Sequence, residues 1–369
     1  MARGGSEATF PGANLDSEVH MAINIVSKGA DPTGNQDSSM IIQQVIDGNG
    51  GGAIFFPRGI YKLESMLILR SGTHLLGDSD ATIKAAFSLQ SGMVWTDQAL
   101  PTRNISVRGL VFDQSDQGTP PSNQAWDVLT FSRSDGVLVH GCTFTGGPTF
   151  GGDSHIMIGD STRVRITDCL FENASDEGIY VSGDKCFGII IGHNHFTGCG
   201  NGSPQTGYCI GVKRGAKNTL IEGNSFDSAR YGIVHEAGSL ELSPGSHSII
   251  TGNVFRQISI ACVLLRKSDF SIVSNNRFDC NGLAANGVAL DMQGSSFCSL
   301  TGNIFEENHT CGINFSNRGT QECESNIVVG NVFSGPGVWI VEKDGTTGNV
   351  IRYTPEQVAN SPVEFNIRT

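Results

Sequence analysis

Positively and negatively charged side chains recur in the middle of the chain, each after a short apolar segment. Lys213 and Arg214 follow one such segment, Glu236 and Arg266 follow later ones, and Asp291 comes next. β-Elimination on an acidic sugar needs a base that removes a proton and a cation that neutralises the sugar carboxylate. The pattern therefore predicts an enzyme that cleaves an acidic polysaccharide by elimination, with Lys213 as the base and Arg266 as the carboxylate-binding group.

A pair of adjacent carboxylates, Asp176 and Glu177, offers a different chemistry. Hydrolysis or transglycosylation at a glycosidic bond uses two carboxyl groups about 5 to 9.5 Å apart. If Glu236 lies two turns of a repeat away, a strand spacing of about 4.8 Å puts it roughly 9.6 Å from the pair. His235 is a rival base, although alternation along a strand points it inward. A glycoside hydrolase or transglycosidase is therefore the alternative to a lyase.

Aromatic and basic residues near these groups are candidates for holding sugar rings. Aromatic rings supply large contact faces, and basic side chains pair with acidic substituents. Packing of the same rings against neighbouring loops is the alternative interpretation. The residues predicted to contact a substrate are Tyr180, Tyr208, Trp126, Arg214, Lys267 and Asp291.

Nine phenylalanines recur at intervals of 23 to 32 residues over the last two thirds of the chain. Short apolar segments between them are typical of β-strands. A period of this length with three short strands per turn predicts a parallel β-solenoid, in which each turn stacks on the one before. The repeated residues are Phe112, Phe144, Phe171, Phe196, Phe226, Phe255, Phe278, Phe305 and Phe333.

An asparagine stands two residues before each of the last six of these phenylalanines. Asparagine tolerates left-handed backbone and forms local hydrogen bonds, so stacked copies are expected to form a ladder at a tight corner. We interpret this row as structural and not as a row of ligands. The six residues are Asn194, Asn224, Asn253, Asn276, Asn303 and Asn331.

The strand that follows each corner loop is predicted to place its first and third residues inward and its other residues outward. This alignment stacks Lys213, Glu236, Arg266 and Asp291 in one outward file of alternating charge. A solvated ladder of exposed ion pairs, each worth a few tenths of a kcal/mol, is the alternative to a catalytic site.

The first hundred residues differ from the repeats. Residues 37–39 can cap a helix with an apolar stripe at Ile41, Ile42, Val45 and Ile46, which would cover the open end of the β-stack. The chain is therefore divided into an irregular segment 1–21, a cap with the first turns at 22–102, the repeats at 103–345 and a C-terminal cap at 346–369.

Charge and cysteine usage narrow the choice of partners. A net charge of −12 argues against nucleic acid and anionic membrane surfaces as partners. The ten cysteines form no C-x-x-C pair, so a zinc cluster is not expected and buried free thiols are favoured over disulfides. Residues 1–19 lack a basic end followed by an apolar core, so no secretory leader is predicted. Extracellular, cytoplasmic and virion-associated locations all stay open.

Two segments carry a resemblance to a known family. The stretch Gly29-Ala30-Asp31-Pro32-Thr33-Gly34, the helix after it, and Gly52 to Tyr61 resemble the entry segment of pectate-lyase-superfamily proteins. The phenylalanine and asparagine repeat resembles their right-handed parallel β-helix. The resemblance covers nearly the whole chain and implies a carbohydrate-active protein whose substrate lies along the aligned strand.

Within that superfamily, Ile210-Gly211-Val212-Lys213 resembles the lysine-bearing strand of chondroitinase-B-like and alginate lyases. Calcium-binding carboxylates would be expected just before that strand, where this chain has Tyr208 and Cys209, so no cofactor and no metal are predicted. The superfamily also includes phage tail proteins, so a non-catalytic glycan-binding or tail adhesin module is a further alternative. A homotrimer is plausible for such a shaft.

Overall fold

The computed structural model describes residues 22–118, 126–147, 153–200, 207–236, 247–279, 287–306, 311–334, 338–343 and 346–352. These residues form three parallel sheets that run along one solenoid, and one short α-helix lies near the N-terminus. The predicted all-β parallel β-helix with an N-terminal helix is confirmed. The predicted irregular segment 1–21 and residues 353–369 of the predicted C-terminal cap lie outside the described residues.

Each turn of the solenoid contributes one strand to each sheet. Sheet 1 contains β1 Ile23–Asn24, β3 Ala53–Phe56, β6 His74–Gly77, β9 Thr102–Arg108, β12 Ser134–His140, β15 Thr162–Thr167, β18 Phe187–Gly192, β21 Lys217–Glu222, β24 Ile249–Thr251, β27 Ile272–Ser274, β30 Ser299–Thr301, β33 Ile327–Val329 and β36 Val350–Arg352. Sheet 2 contains β2 Thr33–Asp37, β4 Gly59–Leu63, β7 Ala81–Ala85, β10 Val111–Asp113, β13 Thr143–Thr145, β16 Leu170–Glu172, β19 His195–Thr197, β22 Ser225–Asp227, β25 Val254–Arg256, β28 Arg277–Asp279, β31 Ile304–Glu306 and β34 Val332–Ser334. Sheet 3 contains β5 Leu67–Leu69, β8 Val94–Thr96, β11 Leu129–Ser132, β14 Ser154–Gly159, β17 Glu177–Ser182, β20 Tyr208–Lys213, β23 Tyr231–Glu236, β26 Ala261–Arg266, β29 Val288–Gln293, β32 Cys311–Ser316 and β35 Val338–Glu342.

The nine repeated phenylalanines stack inside the solenoid. Ring centroids of neighbouring turns lie 4.6 to 5.2 Å apart with nearly parallel planes. All except Phe333 at the C-terminal end are buried. One continuous aromatic column therefore runs beside sheet 2, as the repeat predicted.

The asparagine ladder is present at the corner between sheets 1 and 2. Asn253 donates its Nδ2 to the Ile221 carbonyl and to Asn276 Oδ1, both at 3.0 Å. Its own Oδ1 accepts the backbone N–H and the side-chain amide of Asn224. The same contacts repeat from Asn194 to Asn331, which satisfies buried backbone groups on every turn.

We expect Asn253→Ala to lower the free energy of unfolding by about 1 to 3 kcal/mol, because the Ile221 carbonyl and the Asn224 N–H lose their buried partner. Chemical denaturation of the purified variant measures the change. Asn35→Ala, at an exposed position on β2, is the matched control and should change stability little. Equal stability of the two variants would contradict the structural role of the ladder.

The helix α1, Ser39–Gly48, closes one end of sheet 3. Its Ile42 and Ile46 side chains are buried in the core. The Gln43 side chain accepts the Ile68 N–H at 2.7 Å and donates to the Ile68 carbonyl at 3.1 Å. An amide side chain thus takes the place of a neighbouring strand at the sheet edge, which otherwise would expose unpaired backbone groups.

Sheet 3 departs from strict alternation where its strands begin. Gly178 and Ile179 both face the core, since a Cβ on Gly178 would lie 2.9 Å from the Phe196 ring. Ala289 and Leu290 are a similar inward pair, and Leu290 pairs with Val263. The predicted alignment of this strand is therefore wrong by two residues. Corrected, Gln293 stands level with Arg266, and Asp291 stands level with Leu264.

The eight cysteines whose side chains are described are all buried and form no disulfide. Cys142 and Cys169 lie together at the corner position of two successive turns, where the Cys142 N–H donates to Cys169 Sγ at 3.4 Å. These thiols pack the core as small apolar groups, in agreement with the predicted free state. Among the described residues, no helix has the length and apolar character needed to cross a membrane.

Candidate active site

Four acidic residues gather where consecutive strands of sheet 3 begin. Asp127 lies just before β11, Asp153 just before β14, and Asp176 and Glu177 stand at the start of β17. Their side chains are between 1% and 6% exposed. We call Asp127, Asp153, Asp176 and Glu177 the acid cluster. Acidic side chains are seldom buried this deeply, so a group of four buried carboxyl groups is an unusual arrangement.

Ser154 connects two members of the acid cluster. Its hydroxyl donates to Glu177 Oε2 at 3.3 Å, and its backbone N–H donates to Asp127 Oδ1 at 2.9 Å. Thr130 donates its hydroxyl to Asp127 Oδ2 at 3.2 Å. The Asp127 carboxyl is therefore fixed from two sides.

Asp153 is held differently. Its Oδ1 accepts the backbone N–H of Trp126, whereas its Oδ2 is buried and has no hydrogen-bond partner in the part of the chain that the structure describes. A buried carboxylate oxygen without a partner is costly in a purely structural role. A proton or an enclosed water molecule would satisfy this oxygen.

Burial raises the pKa of three members of the acid cluster. Loss of solvation is the main cause in each case, and a neighbouring carboxylate adds to it. The pKa of Glu177 rises to about 8, with Asp176 contributing and Lys213 opposing the rise. The pKa of Asp127 rises to about 7 beside Asp153, and that of Asp153 to about 6 beside Asp176. At neutral pH, Glu177 is therefore mainly protonated and Asp153 mainly ionised.

Lys213 lies over aromatic rings next to the acid cluster. Its Nζ is 4.2 Å from the centroid of the Tyr208 ring and 5.6 Å from that of Tyr180. Gly211 makes this arrangement possible, because a Cβ there would lie 3.3 to 3.4 Å from both tyrosine rings. Tyr208 is buried against Tyr231, and burial raises the pKa of its hydroxyl to about 12. Contact with an aromatic face stabilises the charged ammonium.

A second polar group lies at the C-terminal ends of later strands of sheet 3, namely β23, β26 and β29. Arg266 and Arg318 both donate to Gln293 Oε1, at 3.1 and 3.0 Å, and both lie 3.8 Å from a Glu236 oxygen. Asp291 accepts hydrogen bonds from Gln293 and Asn314. Asp291 therefore belongs to this network but not to the predicted file of Lys213, Glu236 and Arg266.

The predicted pairing of Asp176 or Glu177 with Glu236 is wrong. Tyr208, the first residue of β20, pairs with Tyr231, whereas Glu236 is level with Lys213 and Ser182. Glu236 thus lies five residues farther along the strand direction than Glu177, a displacement of roughly 16 Å. The two carboxyl groups are too far apart for one glycosidic bond.

Two other predicted site residues are buried in structural roles. His235 faces the core, where its ring nitrogens contact the Ser268 and Ser248 hydroxyls at 2.8 and 2.9 Å. Burial lowers its pKa to about 4, and its inward position keeps it away from the outer face of sheet 3, where it would have to act as a base. Trp126 is 4% exposed, which leaves no ring face open for sugar stacking.

Arg214 and Lys267 lie in the turns that follow β20 and β26. Both have left-handed backbone, with φ of 54° and 51°. Arg214 is exposed and Lys267 is half-buried. They stand at the rim of the outer face of sheet 3, one residue beyond Lys213 and Arg266, and Tyr180 stands half-buried on the face itself.

Sequence reasoning missed Asp127, Asp153, Ser154 and Arg318. The sequence does contain a pattern that could have identified the first two, because an acidic residue precedes the strand on three consecutive turns. The strand register shows that these acidic residues are neighbours, since Ser154 pairs with Glu177. Among the described residues, no group of three or more histidine, cysteine, aspartate or glutamate side chains is arranged to hold a metal ion.

Two family models and one curated protein are similar to parts of this chain. The family described as rhamnogalacturonase A/epimerase, pectate lyase-like, matches residues 22–239, and the periplasmic copper-binding protein (NosD) family matches residues 212–350. Plasmin and fibronectin-binding protein A of Streptococcus pneumoniae is 26% identical over 198 residues, which make up 48% of this chain and 24% of that protein. The chain therefore spans about a quarter of the length of this curated relative.

Solved structures share the solenoid. PfbA, a surface adhesin of Streptococcus pneumoniae, matches with a TM-score of 0.69 and 19% identity, over 93% of this chain and 91% of that chain. The tailspike protein of E. coli bacteriophage HK620, solved in complex with a pentasaccharide, matches with a TM-score of 0.70 and 17% identity, over 91% of this chain and 66% of that chain. These likenesses show a common fold. Because the first family match covers more than half of the sequence, the chain belongs to the rhamnogalacturonase A/epimerase, pectate lyase-like family.

Proposed function

We propose that this protein hydrolyses glycosidic bonds of a polysaccharide at the acid cluster. The observation that carries the proposal is the burial of several carboxyl groups together, with Glu177 and Asp153 on neighbouring strands and the pKa of each raised by burial. Glu177 would protonate the leaving oxygen as general acid, and Asp153 Oδ2 would activate water or attack the sugar. Asp127 would hold Ser154 and, through it, the Glu177 carboxyl.

The spacing of the two groups suits this chemistry. Ser154 pairs with Glu177, and Asp153 is the preceding residue, so the two backbone positions differ by one strand and one residue. Strand spacing of about 4.8 Å and a rise of about 3.3 Å per residue separate the two backbone positions by roughly 6 Å, from which both carboxyl side chains can extend to one substrate. Glycosidases place their two carboxyl groups about 5 to 9.5 Å apart, and the stereochemistry of the product would report where in this range the pair acts.

The neighbouring residues would hold the sugar chain. Tyr180 and Lys213 stand beside Glu177 on the outer face of sheet 3, and the arginine network around Gln293 continues the polar surface along the following turns. Stacked turns about 4.8 Å apart favour a ligand that extends along the solenoid axis. The pentasaccharide complex of the tailspike relative supports a glycan as the ligand.

Elimination has less support than the sequence alone gave it. Lys213 Nζ lies 4.2 Å from the centroid of the Tyr208 ring, a contact that suits a cation that binds an anionic group. Arg266 is two strands away from Lys213 and is already engaged with Gln293. Lys213 is better placed to bind an acidic substituent of the glycan than to remove a proton.

A non-catalytic binding role is the second candidate. Its support is the pair of relatives from Streptococcus pneumoniae, one named as a binding protein and the other as a surface adhesin. In this role the same outer face of sheet 3 would hold a glycan without cleaving it. The acid cluster would then have no catalytic role.

Incubation with a panel of neutral and acidic polysaccharides separates these functions. Hydrolysis is expected to release reducing ends without the ultraviolet absorbance of a 4,5-unsaturated sugar. Unsaturated products would instead establish elimination, and binding without any product would establish the adhesin role. Glu177→Gln, run in parallel, should abolish product formation under the first outcome.

A further inference from the structure

One stretch of the outer surface of sheet 1 carries no charged side chain. It spans four consecutive turns, from β24 to β33, and three outward positions on each turn. We call this stretch the uncharged face. Its residues are His247, Ile249, Thr251, Phe270, Ile272, Ser274, Phe297, Ser299, Thr301, Ser325, Ile327 and Val329.

The uncharged face is a property of these turns and not of the fold. The same outward rows on earlier strands of sheet 1 carry Arg108, Arg163 and Arg165. On the uncharged face, large apolar side chains are exposed instead, with Phe270 at 45%, Phe297 at 51% and Ile327 at 50%. A chain with a net charge of −12 thus keeps one continuous area free of charge.

The backbone supplies an independent sign of selection at Phe270 and Phe297. Both residues have left-handed backbone, with φ of 56° and 57°. Equivalent turns use glycine or asparagine, as at Gly188 and Asn218, and in other copies Arg163 or Ser325. A bulky residue with left-handed backbone is strained, and about half of each phenylalanine stays exposed although the two rings stack on each other. The exposed ring surface is therefore available for a contact outside the chain.

The two rings are stacked on each other and on His247, with centroids 5.1 and 5.2 Å apart and nearly parallel planes. Such a column presents ring edges over most of its length, whereas sugar rings stack on ring faces. Anionic membrane surfaces attract lysine and arginine side chains, and the uncharged face has neither. The chemistry that fits is another flat and uncharged protein surface.

We propose that the uncharged face is a self-association surface on which a second copy of this chain docks. Two acidic copies repel each other, and this is the area where they can meet without opposing like charges. Four turns and five residues of strand give a patch of roughly 20 by 20 Å, on the order of 400 Å². Standard interfaces bury about 800 Å² per partner with an apolar centre and a polar rim, so the patch suffices as that centre.

The strained backbone gives a sharp test. The double substitution Phe270→Asn with Phe297→Asn removes both apolar rings and relieves the left-handed strain, because asparagine tolerates that conformation. We expect the wild-type chain to sediment with the mass of two or three copies, and the double variant to associate about tenfold to a hundredfold more weakly. The melting temperature of the dissociated variant should equal or exceed that of dissociated wild type. Phe87→Asn, at an exposed phenylalanine near the N-terminal end, is the control and should associate as wild type does.

Three results would overturn the proposal. The first is a single-chain mass for the wild type at every concentration tested. The second is unchanged association in the double variant. The third is association only after removal of residues 353–369, which would show that the chain's own C-terminal segment occupies the uncharged face.

Discussion

Glu177→Gln is expected to lower the turnover of a cleavable polysaccharide about 10²- to 10⁴-fold, the usual effect of removing general acid catalysis. Glutamine keeps the size of the side chain and can still accept a hydrogen bond from the Ser154 hydroxyl. It has no acidic proton to give to a leaving oxygen. Initial rates at saturating substrate measure the effect. The Michaelis constant should change little, because the substituted group acts on the bond and not on the sugar face.

The pH dependence of wild-type turnover provides a second readout of the same site. Activity requires a protonated Glu177, whose pKa is about 8, and an ionised Asp153, whose pKa is about 6. The rate should therefore fall below about pH 6 and above about pH 8. Asp153→Asn should remove the dependence on the acidic side together with most of the activity.

Matched substitutions separate catalysis from general damage. Glu222→Gln changes a half-buried glutamate on sheet 1, on another side of the solenoid, and should leave turnover unchanged. Lys213→Ala should mainly weaken substrate capture if Lys213 binds the glycan. A collapse of turnover in Lys213→Ala together with near-normal turnover in Glu177→Gln would reverse the assignment and restore elimination as the mechanism.

The fold was predictable from the sequence because its signals are local and repeated. Nine turns carry a stacked phenylalanine, the last six of them also carry a corner asparagine at nearly fixed spacing, and these copies reinforce one another. The helix was predictable for a similar reason, since Ile42 and Ile46 lie on one face behind a serine and aspartate cap.

The candidate site was predictable only in part, because its geometry depends on register. The pair Asp176 and Glu177 was identified, but its partner was sought at Glu236, whereas the partner that we propose is Asp153. Alternation fails where strands of sheet 3 begin, since two consecutive residues such as Gly178 and Ile179 point inward. Strict alternation applied to the sequence therefore assigns the residues before this inward pair to the wrong face of the strand.

Arg318 illustrates a different limit. It follows β32 in a short segment that pairs with itself through Arg318 and Gln321. Only the folded chain shows that its guanidinium returns to Gln293, two turns from Glu236. Long side chains cross several strands, and no spacing rule in the sequence records their direction.

The second large effect that we expect concerns stability. The free energy of unfolding should decrease as pH rises from about 4 to 8, because the acid cluster is ionised more easily in the unfolded chain than in the folded one. The pKa of Asp127 is 3.8 in its ordinary state and about 7 in the fold, and that of Glu177 changes from 4.5 to about 8. Raised folded pKa values mean that the folded state holds the protons longer. Their stabilising contribution is complete below the unfolded values and is lost as pH rises through the folded values.

Other carboxylates act in the opposite direction at lower pH. Hydrogen bonds to Thr33 and Gln36 lower the pKa of Asp31 to about 2. The pKa values of Asp37 and Asp135 are also lowered by their own hydrogen-bond partners. These groups stabilise the fold above their unfolded pKa values and lose that effect on acidification. Stability should therefore be greatest near pH 4 to 5, between the two windows.

Asp127→Asn tests the role of the acid cluster in this profile. The asparagine can keep the contacts to Ser154 and Thr130, since its oxygen accepts the Ser154 N–H and its amide donates to the Thr130 hydroxyl. One pKa unit corresponds to about 1.4 kcal/mol, so removal of this carboxyl should stabilise the fold by on the order of 4 kcal/mol at pH 8 and by little at pH 4. Asp184→Asn, at an exposed aspartate, is the control.

Denaturation curves at pH 4, 6 and 8 would decide the matter. A wild-type stability that rises steadily from pH 4 to 8 would show that the acid cluster is compensated by groups around it and is not held protonated by burial. The expected decrease, abolished in part by Asp127→Asn, would instead show that the folded chain tolerates a destabilising cluster at neutral pH. Asp153 is a buried carboxyl group, and one of its oxygens has no partner among the residues that the structure describes. Buried carboxyl groups that cost stability in this way are typical of catalytic sites and are avoided in a structural core.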